Sequence, residues 1–256
     1  YGKKFWDDEY RLNALIAKYP KPYIAFMQGF TMGGGVGISC HGSHRIVCET
    51  SKIAMPECSI GLIPDVGGSL LLSRAPNNLG YFLGLTGTQM NAADAIYTGF
   101  ADSYIPKSEW SEVIKKLEQS GNNSILREHS QNSGKSQLAE NREFFEAIFT
   151  SKDLPKIVQF LSKSEDQRAL EALNKITKNC PIAMTYTIEM LSRLTPKSKI
   201  EDALDLEYRF TSRAQEHGSF QEGIRAAIID KDRKPKWRFE IDEVPKEIIN
   251  NFLKPL

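Results

Sequence analysis

Three consecutive glycines, Gly33, Gly34 and Gly35, constrain this chain more than any other feature; they stand in the stretch Gln28-Gly29-Phe30-Thr31-Met32-Gly33-Gly34-Gly35-Val36-Gly37. A run without Cβ atoms leaves backbone N–H groups unshielded and lets a ligand or a second backbone come close. The run follows an apolar segment of strand length, Tyr23 to Met27, and precedes a helix expected from Val36 toward Cys40. A strand-to-helix turn of this kind suits an oxyanion, and it also suits a tight turn with close packing and no ligand. It is not a phosphate loop, since no Lys-Ser or Lys-Thr follows, and it lacks the G-x-G-x-x-G spacing of a dinucleotide site.

Around this turn the apolar pattern alternates between short strands and helices. Leu12, Leu15, Ile16 and Tyr19 recur at helical steps, with Asp7, Asp8 and Glu9 where a first turn favours acidic side chains, so a helix is expected from Asp7 to Tyr19, stopping before Pro20. Further strands are expected at Arg45–Cys48, Ile53–Met55 and Tyr104–Ile105, and their spacing by helical stretches points to parallel crossover units. Gly67 and Gly68 open a helix through Leu70–Leu72, and Asn91 caps one that ends near Gly99. After Trp110 the pattern is helical, with Trp110, Val113, Ile114 and Leu117 on one face and Phe144, Phe145, Ile148 and Phe149 on another. Ser164 with Gln167, Ser198 with Glu201 and Ser219 with Glu222 read as capping boxes. The Ser-, Asn- and Gly-rich segment 119–137 reads as a mobile linker or loop between residues 1–118 and a helical region, residues 138–256.

Two carboxylates stand in an apolar stretch bounded by Pro and Gly: Ala54-Met55-Pro56-Glu57-Cys58-Ser59-Ile60-Gly61-Leu62-Ile63-Pro64-Asp65-Val66-Gly67-Gly68. Carboxylates in apolar walls have raised pKa values and serve as general acids or bases near neutrality. The plainer alternatives are an exposed loop residue for Glu57 and a helix cap for Asp65.

The chain carries 33 basic and 32 acidic residues, a formal charge of +1, so no global field draws it to nucleic acid or a membrane surface and any anionic partner is held locally. With 256 residues, 41% of them hydrophobic, it can bury a sizeable core. No apolar run reaches the length of a membrane span. Cys40, Cys48, Cys58 and Cys180 have neither a zinc-ligand spacing nor the density of a disulfide scaffold, which fits a reducing compartment. His41 and His44 form an H-x-x-H pair, but without a Glu at the second position or a third ligand nearby the expectation is packing or capping and no metal. Lys231, Arg233, Lys234 and Lys236 with Trp237 form a basic, aromatic cluster that is either solvated surface or a contact for phosphates and an adenine ring, or for RNA. The first residues have no signal-peptide layout, and a first residue Tyr1, not Met, leads to the expectation that the natural N-terminus lies further upstream.

Taken together, Gly29-Phe-Thr-Met-Gly-Gly-Gly-Val-Gly37, Pro56-Glu-Cys-Ser-Ile-Gly-Leu-Ile-Pro-Asp-Val-Gly-Gly68, Leu79-Gly-Tyr-Phe-Leu-Gly-Leu-Thr-Gly87 and Glu222-Gly-Ile-Arg-Ala-Ala-Ile-Ile-Asp-Lys-Asp-Arg-Lys-Pro-Lys-Trp237 resemble the enoyl-CoA hydratase/isomerase, or crotonase, superfamily, and within it the 3-hydroxyisobutyryl-CoA hydrolases. The resemblance spans essentially the whole chain. It implies an α/β crotonase fold built of ββα units, N-terminally incomplete in this chain, followed by a largely helical C-terminal region. It also implies that Gly34 gives its N–H to the thioester oxygen. The second oxyanion donor comes from an earlier loop in the superfamily, which this chain does not contain. Restoring the upstream strands is therefore expected to raise thiol release.

In hydratases of the superfamily one catalytic Glu follows the glycine turn and a second lies in the later Pro-Glu motif. Here Gly37 takes the first place, Glu57 keeps the second, and Asp65 stands where hydratases have a small residue. The resemblance thus implies thioester hydrolysis: Glu57 attacks the acyl carbon or acts as base for water, and Asp65 positions the substrate hydroxyl or the water. Gly33 and Glu9 match substrate-contacting positions. The implied substrate is 3-hydroxyisobutyryl-CoA, of valine catabolism in the mitochondrial matrix. No cofactor beyond the coenzyme A of the substrate is implied, and homo-oligomers occur among relatives. The alternatives are a hydratase or isomerase of the same fold, and a non-catalytic component of the small subunit of the mitochondrial ribosome.

Overall fold

Gly29 takes φ 59°, and there the chain turns between two short strands, β1 (Ile24–Met27) and β2 (Phe30–Met32), before entering a one-and-a-half-turn helix, Gly34–Ser39. The same order recurs immediately: β3 (His44–Val47), a turn, β4 (Lys52–Ala54) and a 3-10 helix, Glu57–Ile60. Ser51 fixes the second turn, its hydroxyl accepting from Cys48 N–H at 2.8 Å and donating to the Met27 carbonyl at 2.6 Å. Each strand pairs in parallel with its counterpart in the next unit, β1 with β3 (Ile24↔His44 to Met27↔Val47) and β2 with β4 (Phe30↔Lys52 to Met32↔Ala54). A fifth strand, β5 (Ser103–Tyr104), extends the first sheet beside β3. These are two turns of a ββα spiral, and the computed structural model describes them within residues 2–256, with His217 described by its backbone and Tyr1 outside the described residues. The sequence pattern places β1, β3, β4 and β5 within a residue or so of where they lie; β2 falls inside the stretch read as a turn, because three residues carry too little alternation to declare a strand.

The first helix runs from Gly2 to Ala17, so Asp7, Asp8 and Glu9 lie mid-helix and not in a first turn. Its buried face is also a different one from that expected. Trp6, Tyr10, Asn13 and Ile16 face the core, whereas Leu12, Leu15 and Tyr19 are about half exposed. Trp6 meets Phe220 edge-on at 5.9 Å and Tyr10 meets Tyr208 at 6.1 Å, which docks this helix against the C-terminal region. The helix Ala92–Tyr97 is capped as expected, Asn91 Oδ1 accepting from Asp94 N–H at 2.9 Å. The three expected capping boxes are not formed. Asp166 caps the helix Gln167–Ile176 in place of Ser164, Lys199 N–H donates to Asp202 one residue beyond the expected Ser198–Glu201 pair, and Glu222 is engaged by Arg225. In each case a nearby ionised group offers a stronger bond than a neutral hydroxyl.

Segment 119–137, of linker-like composition, carries the helix Ser124–Glu128 and buries Ile125 and Leu126 with Trp110 and Val113 against Ile46 of β3. Gln131 N–H donates to the Tyr104 carbonyl at 2.8 Å. Two apolar anchors, not the average composition, decide where this stretch lies. The remaining helices, among them Arg142–Phe149, Leu154–Ser162, Gln167–Ile176, Pro181–Arg193, Ile200–His217 and Lys246–Leu253, share one continuous core with the spiral, from Met27 and Ile53 through Leu83 to Tyr186 and Phe210. The C-terminal region therefore folds back onto the strands.

Candidate active site

Because β2 and β4 are adjacent, parallel and in register through Met32↔Ala54, whatever follows them emerges side by side. Gly33 and Gly34 follow β2 and Pro56 and Glu57 follow β4, which places the glycine turn and the carboxylate at the carboxyl ends of neighbouring strands, where ligands bind in open α/β sheets. Gly33 has φ 52° and ψ −127°, a conformation that glycine adopts at little cost, and a Cβ there would lie 3.8 Å from Glu57 Oε1. The first helical bonds run from Val36 and Gly37 N–H to the Gly33 carbonyl, so the Gly34 and Gly35 amides precede the intrahelical ladder.

Glu9, Gly33, Gly34, Glu57 and Asp65 line one cleft of about 630 Å³, walled also by Trp6, Leu62 and Val66 and, from the C-terminal region, by Gln215, Phe220 and Ile224. Glu9, half-buried on the first helix, reaches Gly34, where an added Cβ would lie 3.0 Å from its Oε1. Glu57 is 5% exposed and neither of its oxygens has a hydrogen-bond partner among the described residues; the Gly33 and Glu57 amides ease its charge only from a looser approach. Burial, and then the charge of Asp65, pushes its carboxyl well above the ordinary range. Burial likewise raises Asp65, helped by the charge of Glu207 and opposed by the hydrogen bond from Tyr10. Burial raises Glu9 as well. Asp65 is not a helix cap: only its backbone carbonyl accepts from Gly68 N–H, at 2.7 Å, while its carboxylate accepts from the Tyr10 hydroxyl.

Three further residues belong to this constellation and escape the sequence reading. Tyr10 holds Asp65. Glu207, fully buried on the helix Ile200–His217, accepts from Gly67 and Ser69 N–H and from the Ser69 hydroxyl, and burial pushes it up to about 7 against those donors. Asn13 is fully buried with no partner for its amide among the described residues, and a Cβ at Gly37 would lie 2.6 Å from Asn13 Nδ2 and 2.8 Å from Val66 Cβ. The space beyond Gly37 is thus filled, and a side chain there would displace its neighbours. His41 Nε2 lies 2.8 Å from the Val66 carbonyl and His44 is engaged by Ser43 and Asn123. The four cysteines are free and buried. No group of three metal-ligating side chains comes together among the described residues.

A second cleft, about 710 Å³, shares Ser59 and Ile60 with the first and is lined by Lys178, Arg233, Lys234 and Trp237. The cluster singled out in the sequence therefore lies beside the carboxylates, though Lys231 and Lys236 do not line it.

The enoyl-CoA hydratase/isomerase family model matches residues 1–253. The human protein named mitochondrial 3-hydroxyisobutyryl-CoA hydrolase is 34% identical over 264 aligned residues, which cover 98% of this chain and 68% of that protein. Its namesake from Dictyostelium discoideum is 32% identical, over 100% of this chain and 70% of that one. Among solved structures, an enoyl-CoA hydratase from Rhodobacter sphaeroides 2.4.1 superposes with a TM-score of 0.95 at 47% identity, covering 100% of this chain and 74% of that one. A carnitinyl-CoA dehydratase from Mycobacterium thermoresistibile gives 0.94 at 40% identity, over 99% and 74%. With the ββα spiral and its C-terminal helical region in place, the chain belongs to the enoyl-CoA hydratase/isomerase family of crotonase fold, in the branch of the 3-hydroxyisobutyryl-CoA hydrolases.

Proposed function

We propose that the protein hydrolyses a short-chain hydroxyacyl-CoA thioester, 3-hydroxyisobutyryl-CoA, to 3-hydroxyisobutyrate and coenzyme A. One observation carries this reading: the carboxylates Glu57 and Asp65 line the same cleft, while the place beyond Gly37, where a second hydratase carboxylate would stand, is filled by Asn13 and Val66. Addition of water across a double bond calls for a base and an acid flanking the acyl chain. Attack at the acyl carbon needs one nucleophile or base and donors for the oxyanion.

In this scheme the thioester oxygen lies at the Gly34 amide. Glu57, unpaired and raised, either attacks the acyl carbon, expelling the thiol and leaving a mixed anhydride for water to open, or removes a proton from the attacking water. Asp65, aligned by Tyr10, receives the substrate hydroxyl or the water, and Glu9 and Gly33 contact the acyl portion. The second cleft, with Lys178, Arg233, Lys234 and the Trp237 ring, suits the phosphates and adenine of coenzyme A. The names of the relatives favour a place in valine breakdown in the mitochondrion.

Hydration is the second reading, favoured by the description of the 47% identical structure as an enoyl-CoA hydratase. One experiment separates the two: the natural protein is offered 3-hydroxyisobutyryl-CoA and crotonyl-CoA, with free thiol and loss of the enoyl absorbance followed in parallel. Thiol release from the first without hydration of the second is expected. Hydration without thiol release would replace the hydrolase reading by the hydratase one.

A further inference from the structure

Val66, the residue after Asp65, has φ 54°, in the left-handed region that β-branched side chains avoid. It is 1% exposed and lines the cleft. Such a conformation persists only where the surroundings over-determine it, and here both sides of the residue are held. On one side His41 Nε2 donates to the Val66 carbonyl at 2.8 Å. On the other, Glu207 Oε2 accepts from Gly67 N–H at 2.8 Å, and its Oε1 accepts from Ser69 N–H at 3.1 Å and from the Ser69 hydroxyl. Gly67 continues with φ 75°, and Gly68 N–H closes the turn onto the Asp65 carbonyl.

Glu207 reaches this turn from 140 positions away in the chain, is fully buried and does not line the cleft. Burying a carboxylate carries a penalty, so its retention calls for a task. Both of its oxygens are spent on the turn, and no other acceptor among the described residues meets the Gly67 or Ser69 amide. We propose that Glu207 is a positioning residue: its carboxylate clamps the Asp65–Ser69 turn in the left-handed conformation that aims the Asp65 side chain at the Tyr10 hydroxyl and into the cleft. The inference rests on the reading of Asp65 as a member of the reacting site.

The test uses the natural protein with Glu207→Gln, nearly isosteric but with an amide NH₂ that must face one of the donors, and with Ser69→Ala, which removes one donor and disturbs the fold less. Thiol release from 3-hydroxyisobutyryl-CoA is expected to fall at least about tenfold in kcat for Glu207→Gln and about threefold for Ser69→Ala, with KM shifted less, as loss of alignment predicts. Val66→Gly in the Glu207→Gln background should recover part of the lost kcat, since glycine holds the left-handed conformation unaided; a purely structural role would make that double variant worse. The crystal structure of Glu207→Gln should show Val66 out of the left-handed region and the Tyr10–Asp65 bond broken. Wild-type kcat in both variants overturns the clamp. If wild type releases no thiol, the hydrolase reading fails by itself, and Val66 still left-handed with Tyr10–Asp65 intact in Glu207→Gln overturns the clamp independently.

Discussion

The Tyr10 hydroxyl donates to Asp65 Oδ2 at 2.8 Å, joining the first helix to the strand-following loop across 55 positions of the chain. Its other neighbour, Thr211 Oγ1, lies 3.4 Å away on the helix Ile200–His217, so one phenol ties together three parts of the fold. The bond favours the ionised form of Asp65 against the burial that raises it. Tyr10→Phe should therefore move Asp65 further up and, because a neutral Asp65 no longer holds Glu57 high, shift the Glu57 limb of the pH–rate profile to lower pH, with a stability loss of about 1–3 kcal/mol from the buried oxygen left without a donor. The pH dependence of thiol release, with a denaturant titration of the same variant, checks both.

Stability should fall as the solution turns alkaline. Glu207 is raised from 4.5 to about 7, so between those values the folded protein holds a proton that the unfolded chain has lost. Its stabilising contribution is complete below the unfolded value and disappears as pH climbs through about 7, a loss of about 3 kcal/mol. Glu57 and Asp65 are raised too and act in the same direction. Unfolding free energies measured from about pH 5 to pH 8 should decline in wild type and decline less steeply in Glu207→Gln. Equal slopes would remove Glu207 from the set of titrating groups.

Gly37 should tolerate no side chain. An added Cβ would stand 2.6 Å from Asn13 Nδ2 and 2.8 Å from Val66 Cβ, both buried. Gly37→Ala is expected to cost about 1–3 kcal/mol through overpacking. Asn13→Ala in the same chain should return part of it, because the shorter side chain opens one of the two contacts. A thermal-unfolding double-mutant cycle measures that coupling, and strict additivity would mean that the two residues do not share the space.

Thiol release should increase with pH as Glu57 ionises, since either of its roles requires the carboxylate. With its pKa raised first by burial and then by Asp65, the increase should begin above the ordinary carboxylate range. In Asp65→Asn the like charge is gone, so the Glu57 limb should move to lower pH even as kcat drops. A limb that stays in place would mean that Asp65 does not act on Glu57.

The glycine turn, Glu57 and Asp65 are legible in the sequence because adjacent parallel strands bring together residues fewer than forty positions apart, each flanked by the Gly and Pro that their turns require. Tyr10 and Glu207 are not, because what gives them meaning is a partner 55 or 140 positions away. The first helix misleads for a different reason. It carries two apolar stripes, and the one through Leu12, Leu15 and Tyr19 reads more strongly than the buried one, which is interrupted by the polar Asn13. Only the docked helix Ile200–His217 shows which stripe faces inward. Segment 119–137 shows the converse, in that its composition reads as linker while Ile125 and Leu126 fasten it beneath Trp110.

Glu57 is the residue on which the proposed chemistry turns, and Glu57→Gln in the natural protein tests it most directly. The substitution keeps the shape of a side chain that has no hydrogen-bond partner to lose within the described residues, so the fold should persist. Steady-state thiol release from 3-hydroxyisobutyryl-CoA by the folded variant is expected to fall by about 10²–10⁴ in kcat. A kcat equal to that of wild type would contradict the assignment of Glu57 as nucleophile or base, and with it hydrolysis at this cleft.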